Sequence, residues 1–354
     1  MKAVCWQSRQ KIAVENVPDP RVLDSRDAIV RVTSTAICGS DLDLYEGAVP
    51  SLAPGDILGH EFMGEVVEKG PDVASLDIGD RVVVPCAIAC GCCAPCREGR
   101  WALCDKSNRN AWLVERLYGT AGAGLFGCSE LYGGYAGGQA EYVRVPYADV
   151  GPLRVPATLS DDAVLFLSDI LPAAFTAAER CAIEEGDTVA VFGCGAVGLL
   201  TIQSAFLLGA ARVIAIDRLS HRLELARARC GAETLNVDRG DVFDAIRTMT
   251  GGRGADACID TAGLEAHGCE SSGGCVQGDL VEPAPSVPLG SGPTLRTGRT
   301  HVHRYMRPLL ALIEHGVFDP SFVASHHVPL DDAPSAYQMF RNCTDGCTKV
   351  VMHP

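Results

Sequence analysis

Four cysteines, Cys90, Cys93, Cys96 and Cys104, fall at CxxC, CxxC and then seven intervening residues within CGCCAPCREGRWALC, a stretch punctuated by Gly and Pro. Thiolates two residues apart on a turning backbone converge on one ion at about 2.3 Å, and four of them close a tetrahedral zinc site with no position left for a reactant. The cluster therefore predicts a structural zinc that pins a loop, with only Cys92 out of register. Such a loop also raises the expectation of a second, reactive metal in the same protein.

A second constellation is Gly193, Gly195 and Gly198, in GCGAVG, directly after the apolar run TVAVF and at the start of a long helical pattern that includes Val197. In that context glycine serves a tight turn, close approach of backbone to a pyrophosphate, and packing of helix on strand, with the helix N-terminus facing the phosphates. Asp217 ends the next apolar run, 19 residues after Gly198. A carboxylate there accepts hydrogen bonds from the ribose hydroxyls and repels a 2′-phosphate, which favours NAD over NADP. Arg218 and Arg222 offer positive charge nearby, Arg222 being the nucleotide-contact candidate, and Asp217 is expected to outweigh both.

Two kinds of element must position these groups. The first 150 residues read as short strands between turn signals, among them AIVRVTSTAIC, EFMGEVVEKG, DRVVVPC and AEYVRVP, which predicts a β-rich half. From about residue 186 the pattern becomes strand, turn, helix: TVAVFG, GAVGLLTIQSAFLLGA, RVIAID, HRLELARARCGA, ETLNV, VFDAIRTMT and ADACIDTA. That alternation signals right-handed βαβ units on a parallel sheet. Residues 265 to 300 lack periodicity, whereas HRYMRPLLALIEHG and DDAPSAYQMF read as helices and CTKVVMHP as a closing strand.

Length and composition fit this picture. A chain of 354 residues has room for two domains, and 47% hydrophobic with 21% charged residues is the make-up of a soluble globular protein. No apolar run is long enough to span a membrane, and the N-terminus lacks a signal-peptide core, so a cytoplasmic location is expected. The net charge of −14 and the lack of a basic stripe argue against nucleic acid and anionic membrane partners, leaving small-molecule chemistry. Most of the 17 cysteines read as reduced, buried small hydrophobes.

Taken in order, ICGSD, GHE, GDRVVV, the four-cysteine loop and FGCGAVGLLTIQSA resemble the zinc-dependent medium-chain alcohol dehydrogenases. LSDILPA, TAGLEAHG and RTGRTHVHRYMRPLL look most like the formaldehyde dehydrogenase-like branch. The resemblance runs from Met1 to about Gly263 and again from about Leu295. It implies an α/β fold with a GroES-like catalytic domain over residues 1–155, a Rossmann doubly wound parallel sheet over 156–295, and a return to the catalytic domain over 296–354. It also implies two zinc ions per chain, NAD as cofactor, and pairing into homodimers or homotetramers.

Residue by residue, the resemblance makes Cys38, His60 and Asp169 catalytic zinc ligands, with an acidic residue where alcohol dehydrogenases of the two-cysteine, one-histidine type have a second thiolate. Read without the resemblance, Asp169 suits a helix N-cap before LPAAFTAAE. Glu61 either supports the site or takes the open coordination position, and Asp41 orients His60 through its other ring nitrogen. Ser40 passes the substrate proton outward, and Asp43 stands where many relatives have a relay histidine. A carboxylate with an ordinary pKa near 4 is a weaker base at neutral pH. The implied reaction is hydride transfer between a primary or secondary alcohol, or a hydrated aldehyde such as formaldehyde, and NAD. A non-catalytic zinc- and nucleotide-binding protein with a structural or sensing role is the other reading. Relatives place a helix and two strands between the GLEAHG-like and RTG-like motifs. Here residues Cys269 to Pro293 lack the apolar content for them, which predicts a shortened nucleotide sheet.

Overall fold

The computed structural model describes residues 1–262 and 294–354, and two sheets organise them. In the N-terminal half, alternating apolar residues build a seven-stranded sheet in the order His326–Pro329, Val350–His353, Ala28–Ile37, Glu61–Lys69, Arg81–Val84, Leu153–Arg154, with Tyr142–Val145 also pairing to Ala28–Ile37. All neighbours are antiparallel except the first two strands. The closing strand therefore returns from the far end of the chain to pair with Ala28–Ile37 in the N-terminal sheet. A β pairing stabilises such a return with a full row of ladder bonds and a buried face.

The second sheet is parallel, in the order Glu233–Asn236, Arg212–Asp217, Thr188–Phe192, Ala257–Asp260. With its crossover helices Ala196–Leu207, Ser220–Cys230 and Val242–Met249 it reproduces the 3-2-1-4 half of a doubly wound nucleotide fold. Thr188–Phe192 is buried almost throughout, as a central parallel strand covered on both faces must be. The segment predicted to be shortened, 269–293, lies outside the described residues, and 294–300 carry no regular element.

One apolar cluster runs across both halves, from Ala36, Met63 and Val83 through Phe166, Leu167 and Leu171 to Val191, Leu199 and Leu309. Helices Ile170–Arg180 and Val302–Glu314 carry much of it. A core continuous between the sheets is close-packed and resists sliding, so it fixes the cleft between them. Among the described residues no helix is long and apolar enough to cross a membrane.

Candidate active site

The register of the N-terminal sheet brings donors to one edge. Ala36 pairs with Glu61, so Cys38, just past one strand, faces His60, just before the next. Val350 pairs with Ile37, setting Lys349 against the same edge, and Phe62 pairs with Val84, which places Cys86 there too. Asp169 arrives from the segment leading into the nucleotide sheet, anchored where the Cys86 N–H donates to the Ser168 carbonyl at 2.9 Å. One ligand atom each from Cys38, His60, Glu61 and Asp169 lies within 4.8 Å of the others, and all four residues are buried.

Their spacing fits a tetrahedral ion. With bonds of about 2.1 Å to nitrogen or oxygen and about 2.3 Å to sulfur, neighbouring donors should stand roughly 3.4 to 3.6 Å apart. His60 Nε2 lies 3.4 Å from Asp169 Oδ2, and Cys38 Sγ lies 3.8 Å from the same oxygen. Asp169 occupies the N-cap position of helix Ile170–Arg180, yet its side chain caps nothing and turns toward Cys38, His60 and Cys86 instead. The carboxylate thus serves the cluster rather than the helix.

The supporting contacts are specific. Cys38 caps helix Gly39–Tyr45, and Asp41 in its first turn accepts from the Cys38 N–H at 2.9 Å and from Gln139 Nε2 at 3.1 Å. The other Asp41 oxygen lies 3.2 Å from His60 Nδ1, which leaves Nε2 facing the cluster. Tyr337 donates to Gln139 at 2.8 Å and completes this chain. Ser40 Oγ sits 3.3 Å from His60 Nε2. Asp43, three residues further along the same helix, is half-buried, and its carbonyl accepts from the Ala48 N–H at 2.9 Å.

Sequence reasoning missed two neighbours. Lys349, fully buried, donates to Glu61 Oε1 at 2.6 Å, and Cys86 Sγ donates to Asp169 Oδ1 at 3.3 Å. Glu61 Oε2 is buried with no hydrogen-bond partner among the described residues, so the second carboxylate oxygen is left for the cluster. The electrostatics call for a cation. Burial opposes charge on His60, but Asp41, Cys38 and Asp169 outweigh it and hold the imidazole well above its ordinary value. Burial, reinforced by Glu61, raises the Cys38 thiol. Burial also works against the Asp169 carboxylate, but the hydrogen bond and charge of His60 hold it below the usual range. Zinc, which binds sulfur, imidazole and carboxylate together, suits this donor set.

The cysteine loop is built as its spacing predicted. Cys90, Cys93, Cys96 and Cys104 are buried and mutually within 4.8 Å. Cys90 Sγ is 4.0 Å from Cys96 Sγ and Cys93 Sγ is 3.9 Å from Cys104 Sγ, against about 3.8 Å for the edge of a zinc tetrathiolate. Cys92 is exposed and lies outside the buried set.

At the nucleotide sheet Gly193 sits at φ +90°, and its amide donates to Ile216 O at 2.8 Å. A Cβ on Gly198 would stand 1.9 Å from Gly193 O, so only glycine lets helix Ala196–Leu207 pack onto the turn. Gly195 caps this helix without a side-chain acceptor, and Val197 lies in its first turn. Asp217 accepts from the Cys194 N–H at 2.7 Å and from the Leu219 N–H at 2.8 Å. It therefore also braces the turn, a duty the motif did not reveal. Arg222 lies 3.9 Å from Asp217 Oδ2, with a guanidinium nitrogen 3.8 Å from where a Gly195 Cβ would be, whereas Arg218 points to Asp238 at 3.7 Å.

A GroES-like β body joined to a Rossmann-type parallel sheet, with sulfur, imidazole and carboxylate donors at the junction, defines the class of zinc-type dehydrogenases. Residues 24–156 match the alcohol dehydrogenase GroES-like domain and residues 196–272 the zinc-binding dehydrogenase family. The chain is 36% identical to a zinc-type alcohol dehydrogenase-like protein of Bacillus subtilis across the whole of both. It is 33% identical to a glutathione-independent formaldehyde dehydrogenase of Pseudomonas aeruginosa, over 96% of this chain and 94% of that one. The solved alcohol dehydrogenase of Thermus sp. ATN1 superposes with a TM-score of 0.85 at 36% identity, covering 100% of this chain and 99% of the other. The chain belongs to the zinc-dependent medium-chain alcohol dehydrogenase family and is an oxidoreductase by that membership.

Proposed function

We propose that the protein is an NAD-linked alcohol dehydrogenase with two zinc ions per chain, acting on a primary or secondary alcohol or a hydrated aldehyde. The observation that carries this is the convergence of Cys38, His60 and Asp169 on one buried point at the edge of a cavity. Cys38, His60 and Asp169 would hold the reactive ion, and Cys90, Cys93, Cys96 and Cys104 the structural one. When bound, the zinc would supply Lewis-acid polarisation of the substrate oxygen and the nicotinamide would supply the hydride acceptor. The balance is alcohol plus oxidised nicotinamide giving carbonyl compound, reduced nicotinamide and one proton.

The chain's own residues manage that proton and the geometry. Ser40, next to His60 Nε2, is placed to accept a hydrogen bond from a substrate hydroxyl and pass the proton outward. Asp43, three residues on along the same helix, is the next acceptor we assign. Lys349 holds Glu61 by one oxygen and leaves the other facing the cluster, where it would support the site or take the open position. Leu44, Leu125 and Phe126 line the cavity and limit water. The turn Gly193–Gly198 would cradle the pyrophosphate, and Asp217 would accept the ribose hydroxyls and disfavour a 2′-phosphate. The resemblance to a formaldehyde dehydrogenase supports aldehyde hydrates among the substrates.

The test is reduced-nicotinamide absorbance with a panel of short, branched and aromatic alcohols plus formaldehyde, using both cofactors and a chelator control. Turnover with NAD that the chelator abolishes is the expected result. Asp217→Ser should narrow the preference for NAD over NADP. No turnover across the panel would leave the zinc- and nucleotide-binding reading in its place.

A further inference from the structure

The cavity that borders Ser40 and His60 has a second polar feature which the reaction described above does not use. Arg299 and Tyr132 line the same cavity, and Leu125 and Phe126 provide apolar wall. Arg299 lies in the stretch that returns from the nucleotide sheet. Its backbone is held from behind, because Arg180 donates to the Gly298 carbonyl at 2.7 Å and to the Arg299 carbonyl at 3.3 Å. Room for the guanidinium comes from Gly122, where a Cβ would stand 2.4 Å from Arg299 Nη1.

The contacts of this guanidinium leave it underused. It lies over the Tyr132 ring at 5.3 Å and donates to Tyr132 Oη at 3.3 Å. Among the described residues no carboxylate pairs with it, whereas other arginines of this half have one: Arg109 pairs with Glu130, and Arg100 with Glu98. A guanidinium has five donors in a planar fork matched to a carboxylate, and a half-buried one without a counter-ion favours an anion arriving from the cavity. Bracing Tyr132 accounts for one donor and leaves the rest.

We propose that Arg299 is a specificity-determining residue which binds an anionic group on the substrate, so that the preferred substrates are short alcohols carrying a carboxylate. This rests on the dehydrogenase reading of the same cavity and names its substrate class. A hydroxyl at the Ser40 and His60 side, a few apolar carbons and a carboxylate at Arg299 match the three kinds of surface that line it. The cavity measures about 60 Å³. At roughly 10–15 Å³ for each water-sized group that is space for about four to six, which favours short chains.

The experiment compares kcat/KM of the zinc-loaded enzyme for glycolate against ethanol and for 3-hydroxypropanoate against 1-propanol, at low and high KCl. The wild-type protein should prefer each hydroxy acid by at least tenfold, with the difference in KM, and salt should shrink the preference. Arg299→Gln should cut that ratio at least tenfold, and Arg299→Lys, which keeps the charge but loses the fork, should keep part of it. Thermal midpoints check that both variants fold, and the lysine variant carries the test alone if the glutamine one does not. Turnover of the plain alcohols with no preference for the hydroxy acids, or a ratio that neither variant moves, overturns the role of Arg299 while leaving the dehydrogenase reading intact. No turnover of any of the four by the wild-type protein, nor of the wider alcohol and formaldehyde panel, overturns both.

Discussion

Replacing Lys349 by Met tests whether the buried charge balance has been read correctly. The ammonium is about 1% exposed and lies 2.6 Å from Glu61 Oε1, itself fully buried. Burial works against its charge, but Glu61 and Cys38 outweigh that and raise its pKa, so the ammonium stays protonated at neutral pH. At an effective dielectric of about 20, two unit charges at this separation attract by about 6 kcal/mol, from which desolvation must be subtracted. Removing one partner of a buried pair typically costs about 3–5 kcal/mol, because the other charge is stranded. Here the stranded group would be Glu61, already beside Cys38 and Asp169. Lys349→Met should therefore lose about 3–5 kcal/mol of stability. Adding Glu61→Gln to it should return about 2 kcal/mol or more, since the double variant leaves no unpaired charge. Urea unfolding followed by tryptophan fluorescence at fixed zinc reads both. A loss below about 1 kcal/mol, or a double variant no more stable than the single one, would refute the reasoning.

Three further outcomes follow from the same geometry. Asp169→Asn or Cys38→Ser should lower bound zinc from two ions per chain to one by elemental analysis, with kcat/KM down by about a hundredfold or more; an unchanged metal count would remove these residues from the site. Asp43→Asn should change the pH profile of turnover on its acid side, and a superimposable profile takes Asp43 off the proton path. His303, stacked on Trp101 at 5.8 Å, has both ring nitrogens buried without a partner among the described residues, and burial lowers its pKa to about 3. The unfolded chain takes up a proton near pH 6.5 that the folded chain refuses. Stability should thus fall as pH drops from about 6.5 toward 3 and be unaffected by this group above about 7. His303→Phe should flatten the fall in thermal midpoint between about pH 6.5 and 4.5, and an equal slope in both proteins would contradict it.

Much of this was legible along the chain because the relevant physics is local. The four-cysteine loop closes within 15 residues, and strand, glycine turn and helix follow directly from TVAVF through GCGAVG, so spacing alone states the geometry. Resemblance supplied Cys38, His60 and Asp169 as a set, since nothing in their separate neighbourhoods ties them together. The helix Gly39–Tyr45 was not anticipated, yet it is what lets Asp41 hold both the Cys38 amide and the His60 ring. The expected shortening of the nucleotide sheet falls outside the described residues.

By itself, then, the order of residues determined the strand, glycine turn and helix around GCGAVG and the four-cysteine loop, because each depends on contacts a few positions apart. Only the tertiary structure decided that Lys349 reaches Glu61 across 288 positions, that Cys86 leans on Asp169, and that Arg299 opens into the cavity beside Ser40. Those pairings come from strand register and a shared core, and the charge state and ligand preference of a side chain depend on what surrounds it once water has been removed.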